Sequence, residues 1–274
     1  MTRIALALLM VAVGPLAALV PDQGQPDKDK IIRKFVDELV VLTPGKDKFP
    51  ASFTMGSDKG APPEEQPTHK VTFSYDFQIA KYETTQDLYE ALIGSNPSRW
   101  KGPRNSVEMV SWAEANTFCK RLTAALRERK LLGEDEVVRL PTEAEWEYAC
   151  RAGTATKFSF GDDAGKLGEY AWFTGNAKGN DPPVGAKKAN PWDLYDMHGY
   201  VWEWCLDPWK KDYKDAPTDG SPAKADNAKE YVIRGGAWTS EAEACRTASR
   251  RGVTADNRTA DVGFRCVRTK KNYE

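Results

Sequence analysis

Histidine is nearly missing from this chain of 274 residues, which holds only His69 and His198, and its five cysteines stand singly with no Cys-x-x-Cys pair. A zinc centre of the usual Cys/His type is therefore excluded. An excess of charge of either sign is also lacking, with 39 Lys plus Arg against 40 Asp plus Glu. No net field is available to hold a polyanion, and no nucleic-acid partner is expected. No uninterrupted apolar run is long enough to span a bilayer as a helix. Internal repeats are absent, and beyond Gly153 so are long helical patterns; Gly, Pro, Asn and Asp crowd that half instead.

What is present bounds the rest. With 41% hydrophobic residues the chain can bury a sizeable core, in one or two domains. Residues 1–20 read Met-Thr-Arg, an apolar run from Ile4 to Val13, then Gly14, Pro15 and the small pair Ala17-Ala18, the pattern of a signal peptide. Export to a periplasmic or extracellular space follows, with a retained N-terminal anchor as the alternative. In such a compartment thiols tend to pair, and an odd count leaves one over.

Residues 21–49 read as a linker with a short amphipathic helix, since Ile31, Ile32, Phe35, Leu39 and Val40 recur at helical spacing before Pro44-Gly45. The folded domain is expected over 50–268, with a tail at 269–274. A first strand is placed at Phe53-Thr54-Met55, and Lys70 to Ile79 alternates as a half-buried strand does. Thr85 to Ile93 and Ser111 to Leu126 carry apolar residues at three- and four-residue steps and read as helices. Thr142 with Glu145 forms a capping box that opens another. Glu143, Glu145 and Glu147 then read as a cap and a solvated helix face. In the loop-rich half, several of the nine tryptophans are expected to pin irregular backbone by packing.

Five blocks carry a resemblance. They are Phe53-Thr54-Met55-Gly56-Ser57 with Glu65, Pro67 and His69-Lys70-Val71; Val110-Ser111-Trp112 with Ala115; Arg139 through Arg151; Gly199-Tyr200-Val201-Trp202-Glu203-Trp204; and a closing block of Arg234-Gly235-Gly236-Ala237-Trp238, Arg246 to Arg250 and Gly263-Phe264-Arg265-Cys266. In order and spacing the chain resembles the formylglycine-generating enzyme, or sulfatase-modifying factor, family. The resemblance implies an α+β fold, mixed and irregular, related to C-type lectins and low in regular structure. It also implies an oxidase that uses oxygen and copper(I) to convert a cysteine in a sulfatase Cys-x-Pro-x-Arg peptide to formylglycine.

Copper(I) is soft and favours a pair of thiolates. The family places them in Cys-x4-Cys spacing after the Gly-Gly turn, where this chain has Ser240 and Cys245. Cys245 is thus either the one remaining catalytic cysteine or half of a disulfide. The family's pairing implies Cys119–Cys266, and Cys150–Cys245 because Thr247 stands where Cys150 would find its partner. Cys205 is then the odd thiol, or an unusual second copper ligand. Calcium is implied at Asp196, Gly199, Val201 and Glu203, whose oxygens suit a hard cation; turn capping is the other reading of the two carboxylates. A substrate groove is implied at Trp202, Trp238, Arg246 and Arg250, although arginines buried against carboxylates would serve structure instead. His198 reads as structural. Three functions stay open: a calcium-stabilised binder of a peptide or protein partner, possibly a sulfatase, that has lost copper; a working copper oxidase; and a lectin-like carbohydrate-binding module.

Overall fold

The structure is a computed structural model that describes residues 27–58, 60–179, 181–271 and 273. The signal-peptide expectation for residues 1–20 lies outside them. Helix α1 (Lys28–Asp37) starts where the Asp27 carboxylate accepts from the free Asp29 and Lys30 N–H groups, and it buries Ile32 and Phe35. It ends sooner than its apolar spacing suggests. Leu39-Val40-Val41-Leu42 instead forms β1 (Leu39–Leu42), antiparallel to β4 (Phe77–Ala80) with Leu39 opposite Ala80. Four residues with a β-branched centre satisfy a strand as well as a helix, and an open sheet edge decides between them. The segment expected as a linker is therefore packed onto the domain.

β2 (Ser52–Met55) and β3 (His69–Thr72) form a hairpin, and the alternating stretch from Lys70 to Ile79 breaks between β3 and β4. The two expected helices are α2 (Gln86–Ile93) and α3 (Trp112–Glu128), the latter opened by a capping box from Ser111 to Glu114. β5 (Val137–Arg139) and α4 (Glu143–Arg151) follow, and then the short α5 (Leu167–Tyr170). The remaining strands are β6 (Trp202–Pro208), β7 (Glu230–Arg234), β8 (Arg250–Thr254), β9 (Val262–Gly263) and β10 (Val267–Thr269). They complete two four-stranded sheets, ordered β1-β4-β10-β5 and β8-β7-β6-β9. Phe118, Leu122 and Leu126 of α3 meet Val138, Trp204, Ile233 and Phe264 in the main core. The fold is mixed and loop-rich, as the sequence implies.

Helix α4 departs most from expectation. All nine of its residues are buried, so Glu143, Glu145 and Glu147 form no solvated face. Thr142 and Glu145 do make the capping box. Burying a carboxylate costs several kcal/mol unless a cation and hydrogen bonds compensate it, and each of these three has an arginine from elsewhere in the chain. Arg250 Nε and Nη2 donate to Glu143 at 2.6 and 2.8 Å. Arg139 grips Glu145 through Nη1 and Nη2, both at 2.7 Å. Glu147 accepts from Arg151 Nε at 2.8 Å, from Gly56 N at 2.9 Å and from Arg234. Burial works to raise the Glu147 pKa, but the Arg151 and Arg234 charges prevail and hold it below the ordinary carboxylate value.

Glu147→Gln removes the nearer counter-charge of the fully buried Arg234, leaving it Glu143 at 3.5 Å, and also removes the carboxylate partner of Arg151. It is expected to cost about 3–5 kcal/mol in urea unfolding, and a loss under about 1 kcal/mol would show that these pairs carry no stability. The wild-type contribution is present above the unfolded pKa of about 4.3 and is lost as pH falls through the lower folded value. Acid unfolding below about pH 4 should therefore be steeper for wild type than for Glu147→Gln.

Candidate functional site

The turn from Asp196 to Glu203 leads into β6 and carries the four positions expected to hold calcium. Asp196 adopts φ +59°, and Gly199 is required because a Cβ there would meet the Trp172 carbonyl oxygen at 2.4 Å. Asp196 is 2% exposed; its Oδ2 accepts from Gly185 N at 2.7 Å, while its Oδ1 is buried without a donor. Glu203 is differently placed. Arg265 Nη2 and Nε donate to its two oxygens at 2.7 Å each, and Trp146 Nε1 adds a third bond at 2.8 Å. Its carboxylate is an ion-pair partner within the core, and no oxygen is left over without a donor.

The acid that takes its place beside Asp196 is Glu83, between β4 and α2, which the sequence reading did not single out. Both Glu83 carboxyl oxygens are buried without a hydrogen-bond partner. Arg265 Nη2 stands 3.9 Å from Oε2, and that guanidinium is already committed to Glu203 and to the Ala80 and Tyr195 carbonyls. Burial first, and then the Asp196 charge, pushes the Glu83 pKa well above the carboxylate range. Burial likewise pushes Asp196 up to about 6, against the bond from Gly185. Three carboxylates thus surround one guanidinium, and three buried oxygens want a donor or a cation. Among the described residues no three His, Cys, Asp or Glu side chains converge as a ready metal cluster. A hard cation held by Glu83 and Asp196 would draw its other oxygens from backbone carbonyls, of which Gly199 and Val201 stand in the same turn; the donor set fits calcium.

The expected copper locus is built otherwise. Gly235 and Gly236 take φ +101° and +77°, and a Cβ on Gly236 would stand 2.7 Å from Cys245 Sγ. Ser240 Oγ accepts from Ala237 N at 3.0 Å, which makes it a turn cap. Cys245 is fully buried beside Phe158, Leu167 and Ala171. Burial, helped by the Glu241 charge, pushes its thiol up to about 12. One protonated sulfur and one engaged hydroxyl do not fit copper(I). Cys205 belongs to a separate core cluster that contains Cys150 and Trp146, so it supplies no second sulfur for Cys245.

No disulfide is formed among the described residues. Cys119 and Cys266 face each other with their sulfurs 3.8 Å apart. Cys150 Sγ contacts the Met197 carbonyl at 3.3 Å and His198 Nδ1 at 3.9 Å, whereas Cys245 Sγ lies 3.7 Å from Glu241 O. His198 links the two neighbourhoods. Its Nε2 accepts from Ser159 N at 3.1 Å and its Nδ1 lies 2.9 Å from the Cys245 carbonyl. Burial lowers its pKa to about 4, so it is a neutral structural bridge.

The expected groove is not assembled as an open surface. Trp202 is 4% exposed and belongs to the main core. Arg246 is spent on a bidentate pair with Glu65 at 2.8 and 2.8 Å. Arg250 is spent on Glu143, with its guanidinium 4.4 Å from the Trp209 ring and 4.3 Å from the Tyr213 ring. Only Trp238 is half-buried; it meets Trp100 edge-on at 5.5 Å. The buried-arginine alternative describes both arginines. Alkylation tests the sulfur geometry: with native protein at pH 8, iodoacetamide should leave Cys245 unmodified and should label it only after denaturation. Rapid labelling of Cys245 in the native state would contradict its burial.

The sulfatase-modifying factor enzyme 1-like domain matches residues 25–270 of this chain. The chain is similar to a protein of Paenibacillus barcinonensis named chaperone protein LppX, at 28% identity over 85% of this chain and 90% of that one. It is also similar to the formylglycine-generating enzyme of Mus musculus, at 30% identity over 85% of this chain but only 62% of that enzyme. Among solved structures, PvdO from Pseudomonas aeruginosa superposes with a TM-score of 0.71 at 30% identity, covering 84% of this chain and 94% of PvdO.

Proposed function

The chain belongs to the sulfatase-modifying factor family, and from that premise we propose that it is an exported, calcium-stabilised binder of a peptide or protein partner that does not carry out the copper-dependent oxidation. The observation that carries this reading is the pair formed by Ser240, engaged as a turn cap, and Cys245, buried and protonated. Copper(I) needs accessible thiolates, and this site offers none. Partner binding is favoured by the similarity to a protein named as a chaperone, and a sulfatase is one candidate partner because other relatives are named formylglycine-generating enzymes. Calcium rests on the orphaned oxygens of Glu83 and Asp196. When bound it would neutralise two like charges in the core; Glu83 and Asp196 would hold it, and the Asp196–Val201 turn would be fixed against α2 and β6. In the same oxidising compartment Cys119 and Cys266 would pair, a reading supported by their 3.8 Å sulfur separation.

Calcium binding to the native state alone should raise thermal stability by mass action. In chelator, Glu83→Gln is expected to melt at or above wild type, because it removes one of two repelling carboxylates; in millimolar calcium it should lose the wild-type increment. Melting of wild type that ignores both calcium and chelator would overturn the calcium assignment. For the copper half of the reading, wild-type protein incubated with copper, oxygen, reductant and a Cys-x-Pro-x-Arg peptide should leave the peptide cysteine as a thiol. Aldehyde in that peptide would reinstate the oxidase.

A further inference from the structure

Behind the β2–β3 hairpin, between the first turn of α4 and the loop that follows β6, lies a cavity of about 360 Å³. Its walls include Met55, Ala144, Tyr213, Pro217 and Pro222, apolar surface suited to an alkyl chain. Asp207 lines it and is 4% exposed. Two backbone groups hold that carboxylate: Glu143 N donates to Oδ2 at 2.6 Å and Ala223 N to Oδ1 at 2.8 Å. Each oxygen keeps a lone pair for another donor.

The electrostatics of the cavity choose the sign of its ligand. Glu143, Glu145 and Glu147 each have an arginine, but Asp207 has no lysine or arginine in ion-pair contact among the described residues. Arg250 lines the same cavity with four of its five N–H donors engaged: Nε and one Nη2 hydrogen are on Glu143, and Nη1 is on the Glu64 and Lys210 carbonyls. The buried lining sets two carboxylates, Glu143 and Asp207, against the one guanidinium of Arg250; Arg234, outside the lining, stands 3.5 Å from Glu143 but is shared with Glu147, and neither arginine is in ion-pair contact with Asp207. At the mouth Lys210 and Lys224 are matched by Asp212 and Asp215. Burial and the Glu143 charge raise the Asp207 pKa to about 7, the response of a carboxylate that lacks a cation. His69 also lines the cavity, with both ring nitrogens buried without a hydrogen-bond partner; burial lowers its pKa, so at pH 8 it adds no positive charge to meet an anion.

We propose that this cavity receives one alkyl-guanidinium or alkyl-ammonium group, the arginine or lysine side chain of a bound partner peptide, with Asp207 as its counter-charge. The volume lies within the range of small-ligand pockets and accommodates one long side chain. The assignment deepens the partner-binding reading and rests on it for the peptide; the cation preference rests on the cavity alone.

The test is NMR titration of wild-type protein in calcium at pH 8 with N-acetyl-arginine methylamide, N-acetyl-lysine methylamide, agmatine and the neutral N-acetyl-norleucine methylamide. Saturable shifts of the Tyr213 and Ala223 signals are expected with the cationic probes, and at least about tenfold weaker binding with the norleucine probe. Asp207→Asn should weaken the cationic probes by about tenfold or more. Lys224→Glu, an exposed change that leaves the fold intact, should tighten them by roughly twofold to threefold at low salt and so replaces Asp207→Asn if that variant does not fold. No saturation, equal binding of norleucine, or weaker cation binding by Lys224→Glu would overturn the pocket. Tighter binding of arginine peptides than of agmatine supports a side-chain ligand, whereas agmatine binding with no gain from any peptide would overturn the peptide source and leave a free-amine site. Peptide binding indifferent to replacement of its arginine or lysine by norleucine would sink the pocket and keep the partner reading.

Discussion

Helix α4 carries three glutamates that each meet an arginine from a different strand, Arg250 of β8, Arg139 of β5 and Arg234 of β7. Much of the structure depends on these contacts. β5 lies at one end of the first sheet, and β7 and β8 lie in the second, so one short buried helix ties both sheets together through charge. Buried pairs of this kind contribute little net stability against an apolar replacement but cost heavily when one partner is lost. Their main effect is to select a single arrangement, since a carboxylate moved away from its guanidinium would be stranded in the core.

The same use of arginine extends into the irregular half. Arg265 joins Glu203 to the Ala80 and Tyr195 carbonyls, and Arg246 fixes Glu65. Aromatic rings close around these pairs: Trp146 donates to Glu203, and Trp209 and Tyr213 flank Arg250. Loops that lack a ladder of backbone bonds are held by side chains instead. Residues that look available for substrate in the sequence are thereby committed to architecture. Among the described residues, both Glu83 oxygens, Asp196 Oδ1 and the two ring nitrogens of His69 are buried without a hydrogen-bond partner, whereas Asp207 is held by backbone N–H groups alone.

The Thr142–Glu145 box, the Ser111 helix and the Phe53 strand were readable because each depends on local spacing. The glutamates of α4 were misread because acids near a capping box usually face water. The helical wheel gave a warning, since steps of two residues put Glu145 opposite Glu143 and Glu147 and leave no purely polar face. Leu39 to Leu42 was ambiguous at four residues, and only the neighbouring β4 edge resolves it. Glu83 had no local mark, because its role arises when β4 delivers it beside Asp196. The replacement at Ser240 was visible in the sequence; the burial that keeps Cys245 protonated was not.

A double-mutant cycle on Glu145 and Arg139 tests the ion-pair frame most directly. Their two hydrogen bonds are both 2.7 Å, and the side chains are 0% and 5% exposed. Urea unfolding of Glu145→Leu, Arg139→Met and the double variant gives their coupling. The frame predicts that the double variant loses less stability than the two single variants summed, by about 2 kcal/mol or more. Additivity within about 0.5 kcal/mol would contradict it.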